Sequence, residues 1–323
     1  MSTILDTVAG ALPAGCTARA LTPDDVDDTF AVYAAAQRHD VGALVMERAD
    51  IVADWSRPSM DLTTDTVGVL RGDRLVAAAE ARRRGPRAEA AVHPDARGLG
   101  IGTWLVAWTE AWALAGGGAS VGQTVPEGSA GHRLLAALGY RDGHTSWVLE
   151  LPEGATVPER PLPGGYALRD AVSAPDLQAA YGVVQRAFGE WSDRTGVTYD
   201  EWAAGTVRRP GYAPWQVRVV AHEEGGVVGV AFTVVDEQEC GYVAELAVAR
   251  EHRGRGLAQA LLADAFRGAR EHGATRSELS TDSRTGALDL YLRVGMVVTS
   301  TWQHLLVDLP RGGGGDGGPG GFS

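Results

Sequence analysis

Alternating apolar and polar positions predict short strands over residues 166–169, 216–223, 226–235, 242–248, 276–281 and 301–308. Apolar residues at helical spacing predict helices over 174–188, opened by Ser173, over 257–271, stopped at Gly273, and over 286–293. Glu224-Gly225 reads as the turn of a hairpin between two of these strands. In the N-terminal half, Trp104, Trp108 and Trp112 recur at i, i+4 and i+8, a stripe expected in a helix core or at a seam between domains. The resulting expectation is a mixed α/β (α+β) sheet layered with helices.

The pattern occurs twice. Ala88 to Gly102 aligns with Ala244 to Ala258 at a constant offset of 156 residues, which sets Glu89 on Glu245, Val92 on Val248, Arg97 on Arg253 and Gly100 on Gly256. The same offset sets Leu138-Gly139-Tyr140 on Val294-Gly295-Met296. A Pro- and Gly-rich stretch, Pro152 to Gly165, separates the copies and reads as a semi-rigid linker. The expected organisation is an N-terminal domain over 1–152, a linker over 153–165, a C-terminal domain over 166–310 and a disordered glycine-rich tail over 311–323.

Composition narrows the function classes. The 323 residues, 45% hydrophobic and 22% charged, suit two globular domains of ordinary size. A net charge of −12 disfavours nucleic acid as a partner and mildly favours a cationic acceptor. Lysine and asparagine are absent, so every fixed cation is an arginine. Cys16 and Cys240 stand too far apart for a disulfide framework, and the histidines show no metal-ligand spacing, so no metal is expected. No run of eighteen apolar residues marks a membrane span, and residues 1–10 lack the basic-then-apolar order of a secretion signal. A cytoplasmic monomer or homodimer is the expectation.

The repeated segment carries the chemistry. Arg97-Gly98-Leu99-Gly100-Ile101-Gly102 and Arg253-Gly254-Arg255-Gly256-Leu257-Ala258 each follow a strand and open a helix. Glycines there bring backbone N–H groups close to an anion, and the helix N-terminus adds its dipole. Each loop follows a central strand and lacks the third glycine spacing of a dinucleotide fingerprint, and neither ends in Gly-Lys-Ser/Thr. Both loops fit the Gln/Arg-x-x-Gly-x-Gly/Ala motif, and over roughly residues 17–151 and 166–309 the chain resembles the GNAT superfamily of N-acetyltransferases. Two fused units of this length are also similar in architecture to the mycothiol synthases.

That resemblance implies that each loop holds the pyrophosphate of acetyl-CoA, with Arg253, Gly254, Arg255, Gly256, Leu257 and Ala258 in one copy and Arg97, Gly98, Gly100 and Gly102 in the other. It implies a general acid at Tyr291, within Tyr-Leu-Arg-Val-Gly-Met, where the first copy has Leu135. It implies a general base at Glu245 and an oxyanion donor in the backbone near Val248. Glu89 matches Glu245, so the glutamate alone does not separate the copies. Arg284 stands where relatives carry Asn, a departure on the cofactor side. The C-terminal copy is expected to acetylate a primary amine of a small molecule, and the rival expectation is an idle acyl-CoA sensor or scaffold.

Three further features stand out along the chain. Gly118 to Gly122 spells a Gly-x-Ser-x-Gly elbow, but Gln123 to Pro126 reads as strand where an elbow needs helix. Arg82, Arg83, Arg84 and Arg87 suggest a solvated basic hairpin or, less favoured, a contact with a cofactor phosphate. Phe188, Trp191, Tyr199, Trp202, Tyr212 and Trp215 would pack a lid or wall a pocket for a bulky amine.

Overall fold

A computed structural model describes residues 4–82, 87–191 and 196–310. Arg83, Arg84 and the glycine-rich tail lie outside the described residues. The first unit runs β1 (Cys16–Arg19), α1 (Val26–Asp40), α2 (Arg48–Trp55), α3 (Leu62–Asp65), β2 (Thr66–Arg71), β3 (Arg74–Arg82), β4 (Arg87–Val92), α4 (Ile101–Ala115), β5 (Ser120–Pro126), α5 (Ala130–Ala137) and β6 (Arg141–Glu150). The second runs β7 (Tyr166–Asp170), α6 (Ala174–Gly189), α7 (Tyr199–Gly205), β8 (Val217–His222), β9 (Gly226–Val235), β10 (Cys240–Val248), α8 (Leu257–Glu271), β11 (Arg276–Asp282), α9 (Leu288–Arg293) and β12 (Val297–Asp308). The helix expected from Gly286 begins two residues later, at Leu288, and the last strand begins four residues earlier than its alternation suggested, at Val297.

All twelve strands form one mixed sheet in the order β1-β2-β3-β4-β5-β12-β6-β11-β10-β9-β8-β7. The centre of that order is an exchange. The last strand of the second unit, β12, lies antiparallel on β5, from Trp302 against Pro126 to Asp308 against Ser120. The last strand of the first unit, β6, lies antiparallel on β11, from Glu278 against Glu150 to Asp282 against Ser146. The two exchanged strands pair with each other, His304 opposite His144.

Burial follows the exchange. Leu149, fully buried, packs among Val248, Leu257, Leu261, Leu279 and Tyr291 of the second unit. Leu305 and Leu309 instead close cores of the first unit. Neither unit therefore contains its own complete core. Trp104, Trp108 and Trp112 are buried inside the first unit's core, with the Trp112 indole donating to Asp65 at 3.0 Å. Ser120 opens β5, so the Gly-x-Ser-x-Gly letters carry no elbow.

Candidate active site

Parallel neighbours in this sheet part company at the glycine loops. β4 pairs with β5 only at Arg87–Gly122 and Ala88–Gln123, and β10 pairs with β11 only from Cys240–Arg276 to Val243–Leu279. Beyond those pairs the strands diverge and leave backbone groups of β4 and β10 open on that side. Ala249 N–H donates to the Val228 carbonyl at 2.8 Å. In an antiparallel ladder the next residue back, Val248, then directs its N–H away from β9, toward the gap left by β11.

Both loops have the backbone that glycine permits. Gly98 and Gly100 have φ of 77° and 90°, Gly254 and Gly256 of 74° and 83°, values that side-chain-bearing residues rarely adopt. Gly100 and Gly256 cap α4 and α8, whose first amides have no helical partner. Nothing lies within 4 Å of the position of a Cβ at Gly98 or Gly254, so each loop leaves room for a ligand to touch backbone.

The two loop arginines are already engaged. Arg253 donates through Nε to the Val248 carbonyl at 2.9 Å and through its terminal nitrogens to Glu190 at 2.7 and 2.9 Å. Arg97 repeats this with the Val92 carbonyl at 3.2 Å and Asp40 at 2.7 and 2.8 Å. These bidentate pairs brace the first loop against the C-terminal end of α1 and the second against that of α6. What the loops offer an anion is their amides.

A cavity of about 1500 Å³ runs through both units. It is lined by Glu245, Tyr291, Phe188, Trp191 and Trp202 from the second, and by Glu89, Leu135, Arg97, Gly98, Gly100 and Gly102 from the first. Val248 and the Arg253 to Ala258 loop do not line it. Over that loop lies Arg160 of the linker, whose Cδ is 2.6 Å from where a Cβ on Gly256 would stand. At Gly100 the neighbour is Pro13, at 3.9 Å. Of the lid aromatics, Tyr199 stacks edge-on to Tyr181, Tyr212 packs on the α6 core and Trp215 stacks flat on His272 at 4.0 Å, so these three point elsewhere.

The matched glutamates differ sharply in setting. β10 carries a bulge between Val243 and Glu245, whereas β4 pairs with β3 in unbroken register from Arg87 to Val92. Beyond its bulge, Glu245 accepts a hydrogen bond from the Trp202 indole at 2.9 Å. Burial pushes its carboxyl up to about 7, against the downward pull of the Trp202 bond and of the Arg57 charge. Glu89 faces Glu80 across the strands and lies 3.1 Å from Arg87 and 3.8 Å from Arg82. Burial would raise it too, but Arg82, Arg87 and Arg57 outweigh burial and hold it below the ordinary carboxylate value. The second glutamate can take a proton near neutral pH; the first is fixed as an ion-pair partner.

Tyr291 is 7% exposed, and burial pushes its hydroxyl up to about 12, so it is protonated at neutral pH. Leu135, 2% exposed, is its counterpart and has no proton to give. Arg284 pairs with Asp282 beside the cavity. Sequence reasoning missed the Trp202 bond and the bulge, and it noted Arg82 and Arg87 without pairing them to Glu89, because Trp202 comes from another helix and Arg82 from the neighbouring strand.

A glycine-capped helix after a diverging strand pair, repeated twice, defines a CoA-type acyltransferase fold. The family model described as "Acetyltransferase (GNAT) family" matches residues 46–140 and 177–296. The chain belongs to that family and is an acetyl-CoA-dependent N-acetyltransferase with two GNAT regions. Among its relatives, a mycothiol acetyltransferase of Salinispora arenicola is 30% identical over 221 residues, 65% of this chain and 69% of that protein. A GCN5-related N-acetyltransferase structure from Sphaerobacter thermophilus superposes with a TM-score of 0.72 at 29% identity, covering 92% of this chain and 97% of the other. A tandem GNAT protein from the clavulanic acid biosynthesis pathway shares the fold, with a TM-score of 0.71 at 19% identity over 91% of this chain and 98% of its own. Among the described residues no helix is long and apolar enough to cross a membrane.

Proposed function

We propose that the second unit, over 166–310, performs the transfer, from acetyl-CoA to a primary amine of a bulky, polar small molecule. The observation that carries this reading is the contrast between the copies. Glu245 holds its proton up to about 7 and shares a cavity with Tyr291, while the first unit has an ion-paired Glu89 and Leu135. Glu245 takes a proton from the acceptor's ammonium group. The freed amine nitrogen attacks the thioester carbonyl carbon, forming the C–N bond, and Val248 N–H donates to the resulting oxyanion. Collapse breaks the C–S bond, Tyr291 gives its proton to the departing thiolate, and the excess proton on the amide nitrogen returns to the Tyr291 phenolate.

The cavity's size and its walls from both units support a bulky acceptor. The acceptor of the mycothiol acetyltransferases is therefore the first amine to assay. Thiol release from acetyl-CoA across an amine panel tests the reading directly. An amine that never raises release above the buffer rate leaves the idle acyl-CoA binder standing.

Two variants divide the roles. Tyr291→Phe is expected to lower the single-turnover rate on the order of a hundredfold with acetyl-CoA affinity nearly unchanged, because the hydroxyl matters only once charge develops on sulfur. Equal single-turnover rates in the two proteins would make Tyr291 a packing residue.

The loops are separated by Gly256→Val and Gly100→Val, each placing a β-branched side chain at a left-handed φ. Calorimetry on Gly256→Val should lose the cofactor site that supports turnover. The first loop opens directly on the cavity, which favours a second, non-productive cofactor site there. Loss of turnover in Gly100→Val with the Gly256 site intact would reverse the assignment.

A further inference from the structure

We propose that Arg57, carried by the first unit, is a positioning residue for the second unit's chemistry, reaching across the junction to set the charge environment of Glu245. The inference rests on the reading of Glu245 as the base. Arg57 follows α2 by two residues, and its terminal nitrogen lies 3.4 Å from where a Cβ on Gly205 would stand. Gly205 ends α7, the helix whose Trp202 holds the Glu245 carboxylate.

Arg57 is tethered on its own side. It bonds Asp54 at 2.6 Å; Asp54 also takes Arg82, which reaches Glu80 at 3.3 Å and Glu89 at 3.8 Å. A chain of alternating charges thus leads from Glu89 toward Glu245. Arg57 Nε is buried and has no hydrogen-bond partner among the described residues, so part of the guanidinium is committed to no single acceptor. The junction itself is pinned by Arg209, 8% exposed, which follows α7 and bonds Glu47 and Asp50 of the first unit.

Glu201 on α7 and Glu278 on β11 line the same cavity as Glu245. Trp202 comes from α7, Phe232 opposes it on β9, and Tyr242 on β10 and Tyr291 on α9 line the same cavity. Asp282 and Arg284 beyond β11 are paired with each other. Arg57 lines the same cavity as Glu245 and its charge pulls the carboxyl down against burial, and in a buried setting a charge is felt further than in water. The first unit, with no acid of its own at Leu135, thereby contributes to the site it does not contain.

The test needs no acceptor. In the full chain, glutamate side-chain carboxyls are titrated by carbon NMR, with Glu245→Gln assigning the Glu245 resonance. Arg57→Gln is expected to move the Glu245 midpoint up by on the order of one pH unit, the scale of one nearby opposite charge. Asp54→Asn, which leaves Arg57 unneutralised, is expected to move it down. A midpoint unmoved in Arg57→Gln, with a native amide spectrum, overturns the proposal. If Arg57→Gln does not fold, an unmoved or raised midpoint in Asp54→Asn overturns it as well. The base reading fails separately, when Glu245→Gln keeps wild-type turnover with an active amine.

Discussion

Glu245→Gln is expected to lower kcat/KM by about a hundredfold to ten-thousandfold, the range over which a positioned base contributes, while Glu89→Gln stays near wild type. The sign of the pH dependence follows from the direction of the shift. Burial raises Glu245 to about 7, and only the ionised carboxylate can accept a proton, so activity should climb with pH through about 7 and then level. Glu89 is held below the ordinary carboxylate value, is ionised throughout that window, and should add no limb. Profiles of kcat/KM for both variants check this. An ascending limb near 7 that survives in Glu245→Gln assigns it to another group, and a collapse in Glu89→Gln moves the chemistry to the first unit.

Cutting the chain between the copies is expected to destroy both. Residues 153–323 alone would leave β11 without β6 and expose a long strand edge, and residues 1–152 would leave β5 without β12. Each fragment should aggregate or lack a cooperative thermal transition, and mixing the two should restore one. Leu149→Ala, a change in the first unit, should cost about 2–5 kcal/mol, the usual range for emptying a buried leucine site. It should weaken the second unit's core, because Leu149 is fully buried there. A 153–323 fragment that unfolds cooperatively as a monomer and binds CoA like the full chain would show the exchange to be dispensable.

Much of the local structure was legible before the fold was known. The helix expected over 257–271 is α8 to the residue, and Ser173 does cap α6, accepting from the Asp176 amide at 3.2 Å. Both helix ends rest on signals that act within a turn or two of helix: an oxygen side chain at the start and a glycine at the end. The doubled Arg-Gly-x-Gly loop was legible for the same reason, since Gly98, Gly100, Gly254 and Gly256 all take the left-handed conformation that glycine alone adopts readily.

Alternation of period two predicts a strand over 301–308, inside what becomes β12, but it carries no address for its neighbour, and the same holds for β6. A linker of this length lets either strand return to its own unit or cross, and tertiary packing chose the crossing.

The glutamates divide in the same way. Sequence alone determined that Glu89 and Glu245 occupy matched places and that only Tyr291 stands opposite a proton-free Leu135. Which glutamate can act as a base was decided by groups brought in through the fold. Trp202, 43 positions away, holds Glu245 in a buried cleft, while Arg82 reaches Glu89 from across the hairpin beside Arg87 of Glu89's own strand. Strand propensity, caps and glycine φ values arise from covalent neighbours, so they are written in order along the chain. Burial and charge act through space, so the proton affinity of a carboxylate is settled only when distant segments pack around it.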